Sequence, residues 1–282
     1  VNTFKNLLEA RHRMIAAALL LALAMPLAAE EGSASLLVAP TRVVFGGKQR
    51  TEEISLINTG SRAATYRISL VRLRMGERGA VQEIEEAQPG ERFADALVRF
   101  SPRQVTLEPR AAQTVRIALR KPADLETGEY RSHLLFREVP SSDAPAGESK
   151  TDGLSVRLIP IFGVSIPVIV RHGALTSLIL LEDSRLVDSA PGEQALEVTL
   201  RRQGDSSVYG NLEVAYLPSG GGRVEVGRIR GMAVYTPNPS RVVRIPLRRL
   251  EAGALGRGRL EVTFTATDSV RPLVALAEIA LP

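Results

Sequence analysis

Residues 63–73 read AATYRISLVRL. Ala64, Tyr66, Ile68 and Leu70 alternate with Thr65, Arg67 and Ser69. That period of two suits a strand with one wet face and does not suit a helix. The period recurs outward in both directions: TEEISLIN (51–58), QTVRIALR (113–120), YRSHLLFREV (130–139), ALEVTLRR (195–202), NLEVAYL (211–217), RVVRIPL (241–247) and RLEVTFTAT (259–267). Turn-forming clusters lie between them, among them Asn58-Thr59-Gly60, Glu126-Thr127-Gly128, Ser219 to Gly222 and Pro237-Asn238-Pro239. Short strands at this spacing, without helices between them, predict an all-β chain of antiparallel sandwiches.

The strand count predicts two immunoglobulin-like sandwiches of about seven strands each, since one such domain takes roughly 100 residues. The first spans 30–171 and the second 172–282, with Arg171-His172-Gly173 as the hinge. The polar run from Ser141 to Gly153, SSDAPAGESKTDG, predicts an exposed, mobile loop within the first domain.

Residues 14–29, MIAAALLLALAMPLAA, follow Lys5, Arg11 and Arg13 and precede Glu30 and Glu31. A basic start, a short apolar run and a small-residue end predict a cleaved signal peptide over 1–29. Met14 is a candidate translation start. The apolar run is shorter than the ~20 residues that span a bilayer, so no stable membrane insertion is expected after cleavage.

Composition narrows the chemistry. The chain has no cysteine, which removes disulfides, thiolate metal sites and cysteine nucleophiles. His12, His133 and His172 are too scattered for a three-histidine zinc site. His133 reads as a structural residue of a strand and His172 as part of the hinge. A formal net charge of +5 without a dense basic stripe does not suit nucleic acid. The glycines of GALGRG (253–258) are not in dinucleotide-binding order, and no nucleophile elbow, phosphate loop or zinc-protease motif is present. Glu83, Glu85 and Glu86 lie in a wet stretch. No enzymatic activity, cofactor or metal is expected.

Residues 154–171, LSVRLIPIFGVSIPVIVR, predict one strand of eighteen residues, about three times the usual length. One parity, from Leu154 through Val156, Leu158 and Phe162 to Val170, is apolar throughout. Pro160 and Pro167 cannot donate to a ladder and favour an edge or a bend. A long apolar edge is an aggregation hazard. The strand is therefore either buried, switching between sheets, or meant to be lent to a partner.

In order, APTRVVF (39–45), LINTG (56–60), FSPRQVTLEPRAAQTVRI (100–117), YRSHLLFREVP (130–140) and the long strand ending in IVR resemble the PapD-like periplasmic pilus (fimbrial) chaperones. The resemblance covers the first domain; the second is similar in strand pattern and length. It implies a boomerang of two sandwiches that binds pilin-like subunits in the periplasm and passes them on for surface-fibre assembly, with an outer-membrane usher as a further partner. It implies that Leu154, Val156, Leu158 and Phe162 form the donated strand. It implies that Arg42, in the Thr41-Arg42 motif, anchors a subunit's terminal carboxylate, and that Glu129 pairs with Arg171 near the hinge. The lysine that the family places four residues before the closing arginine is absent: Pro167 stands there. The alternatives are a snorkelling Arg42, separate surface charges at Glu129 and Arg171, and a secreted structural or adhesive module displayed at the cell surface.

Overall fold

A computed structural model of the chain describes residues 35–140, 147–151, 154–158, 161–250, 255–268 and 273–281. The expected signal peptide lies outside them. No helix occurs among the described residues.

The first sandwich pairs two sheets. One has the order β1 (Leu36–Ala39), β3 (Thr51–Asn58), β9 (Ala112–Leu119) and β7 (Val98–Ser101). The other runs β2 (Val43–Phe45), β13 (Gly163–His172), β10 (Gly128–Glu138), β4 (Ala64–Val71) and β8 (Gln104–Leu107). Two hairpins complete it, β5 (Leu73–Met75) with β6 (Val81–Glu83) and β11 (Gly147–Thr151) with β12 (Leu154–Leu158). All pairs are antiparallel except β2 with β13. The chain leaves the first sheet after β1 and joins the second at β2, across the cis Ala39–Pro40 peptide. Alternation places Ile54 and Leu56 of β3, Val115 and Ile117 of β9, and Leu134 and Phe136 of β10 in one core. Each such side chain contributes roughly 1.5–3 kcal/mol by burial. Asn58, also buried, is satisfied: Nδ2 donates to Arg62 O (2.7 Å) and Leu107 O (3.0 Å), and Oδ1 accepts from Gly60 N (3.0 Å). That is the structure behind the Asn-Thr-Gly turn signal.

The second sandwich packs β14 (Ser177–Ala190), β15 (Glu193–Gly204) and β18 (Ser240–Pro246) against β17 (Val224–Val234), β16 (Val208–Pro218), β19 (Gly258–Ala266) and β20 (Val274–Leu281), in those orders. Leu196, Val198 and Leu200 of β15 face Leu212 and Val214 of β16 and Val262 and Phe264 of β19 in a separate core. A third, small cluster of Met75, Ile169, Ala233 and Tyr235 joins the two sandwiches.

Three features differ from the sequence reading. The eighteen-residue strand is two strands: 154–158 turns back onto 147–151, whereas 163–172 runs in the sheet beside β10. Residues 159 and 160 lie outside the described ones. The physical reason is in the sequence: Pro160 removes a ladder donor between the two halves. The run 141–153 is not loop throughout, since Gly147–Thr151 is a strand; Asp152-Gly153, a strong hairpin signal, separates it from β12 in the sequence. The two sheets of the first sandwich hold nine strands rather than about seven, because its first strand is divided at Pro40 and the 98–107 run folds as β7 and β8.

Candidate functional site

Two places on this scaffold combine unusual exposure or unusual burial with chemistry. The first is an edge. β13 pairs with β10 from Gly163 to His172, but β2 covers its other side only at Val168, Ile169 and Val170. Among the described residues, Gly163 to Pro167 therefore have no strand partner on that side. Burial falls along the strand in step: Ile166, Val168 and Val170 are in the core, while Val164 is exposed, Ile161 is 55% exposed and Phe162 64%. Beside this edge, Leu36, Tyr66, Phe136, Phe162 and Val164 line an apolar cavity of about 220 Å³ that opens between the two sheets. Phe162 is held there by its carbonyl, which accepts from Glu138 N at 2.9 Å. Leu154, Val156 and Leu158 lie on β12, in register with Thr151, Ser149 and Gly147. Phe162 precedes β13 rather than continuing β12.

The second place lies between the sandwiches. Glu129 sits opposite Arg171 in the β10–β13 register, and Arg131 and His133 sit opposite Ile169 and Pro167. Alternation puts all of these on the face that looks away from the first core. The Glu129 carboxylate, fully buried, accepts from Arg171 Nε (3.0 Å), Ser207 N (3.1 Å), Ser207 Oγ and Thr236 Oγ1 (3.4 Å). Ser207 and Thr236 belong to the second sandwich, so one carboxylate fastens both domains. Asp268 does the same from the other side. Its Oδ2 accepts from Arg42 Nη2 and Arg171 Nη2, each at 3.0 Å. Arg171 Nη2 also donates to Ser207 O at 3.1 Å.

Arg42 does not snorkel: its side chain is only 8% exposed. The guanidinium lies over Tyr209 (4.6 Å) and Tyr235 (5.8 Å), as cation–π contacts. Arg131 stacks on Tyr235 from 4.3 Å, and His133 meets the same ring edge-on at 6.2 Å. Burial alone would lower the Arg171 pKa, but Glu129 and Asp268 outweigh it and the net direction is upward. For Arg131 burial wins and the direction is down, against the pull of Tyr235, Glu129 and Glu91. Burial, reinforced by Arg131 and Arg42, pushes His133 down to about 3. His133 is therefore neutral at pH 7.

Arg42, Glu129 and Arg171 thus meet in one node, and the edge residues lie apart from it. Asp268, Ser207, Tyr209, Tyr235 and Arg131 complete the node without any sequence motif to announce them. Asp268 follows the strand RLEVTFTAT, and nothing local distinguishes it from a turn residue. No group of histidines, aspartates and glutamates able to hold a metal occurs among the described residues.

The described residues thus form two β-sandwiches fastened through a buried carboxylate–guanidinium node. Solved structures similar to this chain include the YadV chaperone, at 15% identity over 86% of this chain and 99% of that one, with a TM-score of 0.42. Another is the CupB2 chaperone of Pseudomonas aeruginosa (16%, 87% and 100%, TM-score 0.42). A third is the CsuC–CsuE chaperone–tip adhesion subunit complex of Acinetobacter baumannii (14%, 87% and 98%, TM-score 0.43). No family model and no curated protein matches the chain.

Proposed function

We propose that this chain is a non-enzymatic periplasmic chaperone for pilus or fimbrial subunits, exported by residues 1–29 and divided into domains at 171/172. The observation that carries the reading is the half-covered edge of β13. Strand edges on soluble proteins are normally short, charged or covered. Here five residues of edge lie open beside Ile161, Phe162 and Val164, at the mouth of an apolar cavity. Such an edge suits strand addition, in which main-chain hydrogen bonds give affinity and alternate side chains fill a partner's groove. A subunit lacking its last strand has the complementary defect. Leu154, Val156, Leu158 and Phe162 supply the alternating side chains when the β12 segment leaves its hairpin with β11 and continues this edge, and Arg42, whose Nε and Nη1 have no hydrogen-bond partner here, anchors the subunit's terminal carboxylate, which a planar guanidinium grips well. An outer-membrane usher takes the loaded complex. The ordered motifs of the first domain support the same reading.

The test is co-expression with a pilin-like subunit that lacks its final strand. The wild-type chain keeps that subunit soluble and co-purifies with it from the periplasm. Phe162→Asp with Val164→Asp abolishes recovery of the subunit while the chaperone itself stays folded, because both side chains are exposed. Normal recovery with that variant, or location of the chain on the outer surface, rejects the reading.

A further inference from the structure

The β5–β6 hairpin belongs to neither sheet of the first sandwich, yet its turn is occupied by the second. Met75 is 6% exposed and completes the small cluster with Ile169, Ala233 and Tyr235. Its carbonyl accepts from Asn238 Nδ2 at 2.7 Å. One residue beyond the next, Glu77 O accepts from the backbone N–H of Val242 at 2.9 Å. Val242 lies on β18, an edge strand of its sheet, so the turn caps an edge donor of the other domain. Arg78 Nη1 stands 3.7 Å from Glu197, whose carboxylate is buried and also held by Arg185 and Arg244. Gly79 takes φ +83°, and a Cβ there would lie 2.2 Å from Arg241 Nη2, which is itself fixed where Nη1 donates to Ala233 O at 2.7 Å. Main-chain, side-chain and apolar contacts therefore converge on one five-residue turn.

Domains joined by one short crossing move relative to each other unless a specific interface prevents it. The chain crosses here through Gly173 to Thr176. The Glu129–Arg171–Asp268–Arg42 node fastens the seam near that crossing, and the hairpin fastens it at β18. We infer that the hairpin Leu73–Glu83 is an interdomain strap: docked, it fixes the angle between the sandwiches and so positions the node around Arg42; released, it lets the second sandwich turn about the crossing, Gly173 to Thr176. The inference rests on the contacts of the turn and is independent of the chaperone reading.

The absence of cysteine makes the test direct. Gln104→Cys and Ser219→Cys place one spin label on an exposed site of each sandwich. Pulsed electron resonance on the full chain gives one narrow distance. Arg78→Glu combined with Asn238→Ala, which touches neither core, broadens the distribution at least twofold. In the same variant the amides of Ser207 and Thr236, bonded at the node, exchange hydrogen at least tenfold faster; a hairpin of local importance only would leave them unchanged. Met75→Asp gives the same two effects by a different contact. An unchanged distance width, or unchanged exchange at Ser207 and Thr236, overturns the inference.

Discussion

His133 gives the stability of this protein a pH dependence that can be worked out from its surroundings. The imidazole is 4% exposed, lies against Tyr235, faces the guanidinium groups of Arg131 and Arg42, and has no hydrogen-bond partner for Nδ1. Glu129, on the same face of β10, is engaged by Arg171 and Ser207 and offers His133 no compensation. Burial and the two cations hold its pKa near 3, whereas an unfolded chain restores about 6.5. Between those values the unfolded state binds the extra proton, so stability is fully present above pH 6.5 and falls as pH drops toward 3. At about 1.36 kcal/mol per unit, the slope approaches that value per pH unit below pH 6, and the full loss is about 5 kcal/mol. Because His133 lies at the domain seam, parting of the sandwiches relieves the penalty before either core melts, and the loss saturates at the cost of opening the seam.

The assay is denaturant unfolding from pH 7.5 to 4.5 for the wild type and for His133→Gln, which keeps a neutral polar side chain. Carboxylates whose pKa is lowered by partners, such as Glu91 beside Arg74 and Glu197 beside Arg244, also weaken the protein in acid. They cancel in the difference between the two proteins. That difference rises steadily in favour of the glutamine variant below pH 6.5. A difference that is flat across this range would refute the reasoning.

Replacing Glu129 by alanine leaves Arg171 and the Ser207 amide without their buried partner and costs about 3–5 kcal/mol, read by chemical denaturation. Gly210→Ala drives a Cβ to 2.2 Å from Thr265 O and destabilises the second sandwich by roughly 1–3 kcal/mol, while the melting of the first is unchanged. Phe136→Ala does the reverse, lowering the first sandwich by roughly 3–5 kcal/mol, because the two cores share no residue. Arg42→Ala removes one of two cations from Asp268 and two contacts to tyrosine rings; subunit recovery in the co-expression assay falls while Arg171 still holds Asp268.

What could be read from the sequence, and what could not, divides along the difference between local and relational information. TEEISLIN is a strand over its whole quoted length because eight residues already specify which face is wet. Glu129 and Arg171 are forty-two positions apart, and only pairing register decides whether they meet; a slip of one residue turns one of them to the opposite face. The residues between the sandwiches are harder still. Arg131 and His133 follow the strand period of YRSHLLFREV as if they faced water, and they would do so in an isolated domain. They are buried because Tyr235 arrives from a turn about a hundred residues later. The strand period thus reports that a residue lies off its own core, and it carries no information about what another domain lays over it. The same limit bears on the lysine that the resemblance to pilus chaperones leads one to expect four residues before Arg171. Its place is taken by Pro167, yet the register sets His133 directly across from Pro167 and Arg131 across from Ile169. A cation is present on the neighbouring strand of the same face, in a position no single-strand motif can register. With His133 neutral, that cation is Arg131, so the seam retains two buried guanidinium groups, Arg42 and Arg131, around the ring of Tyr235.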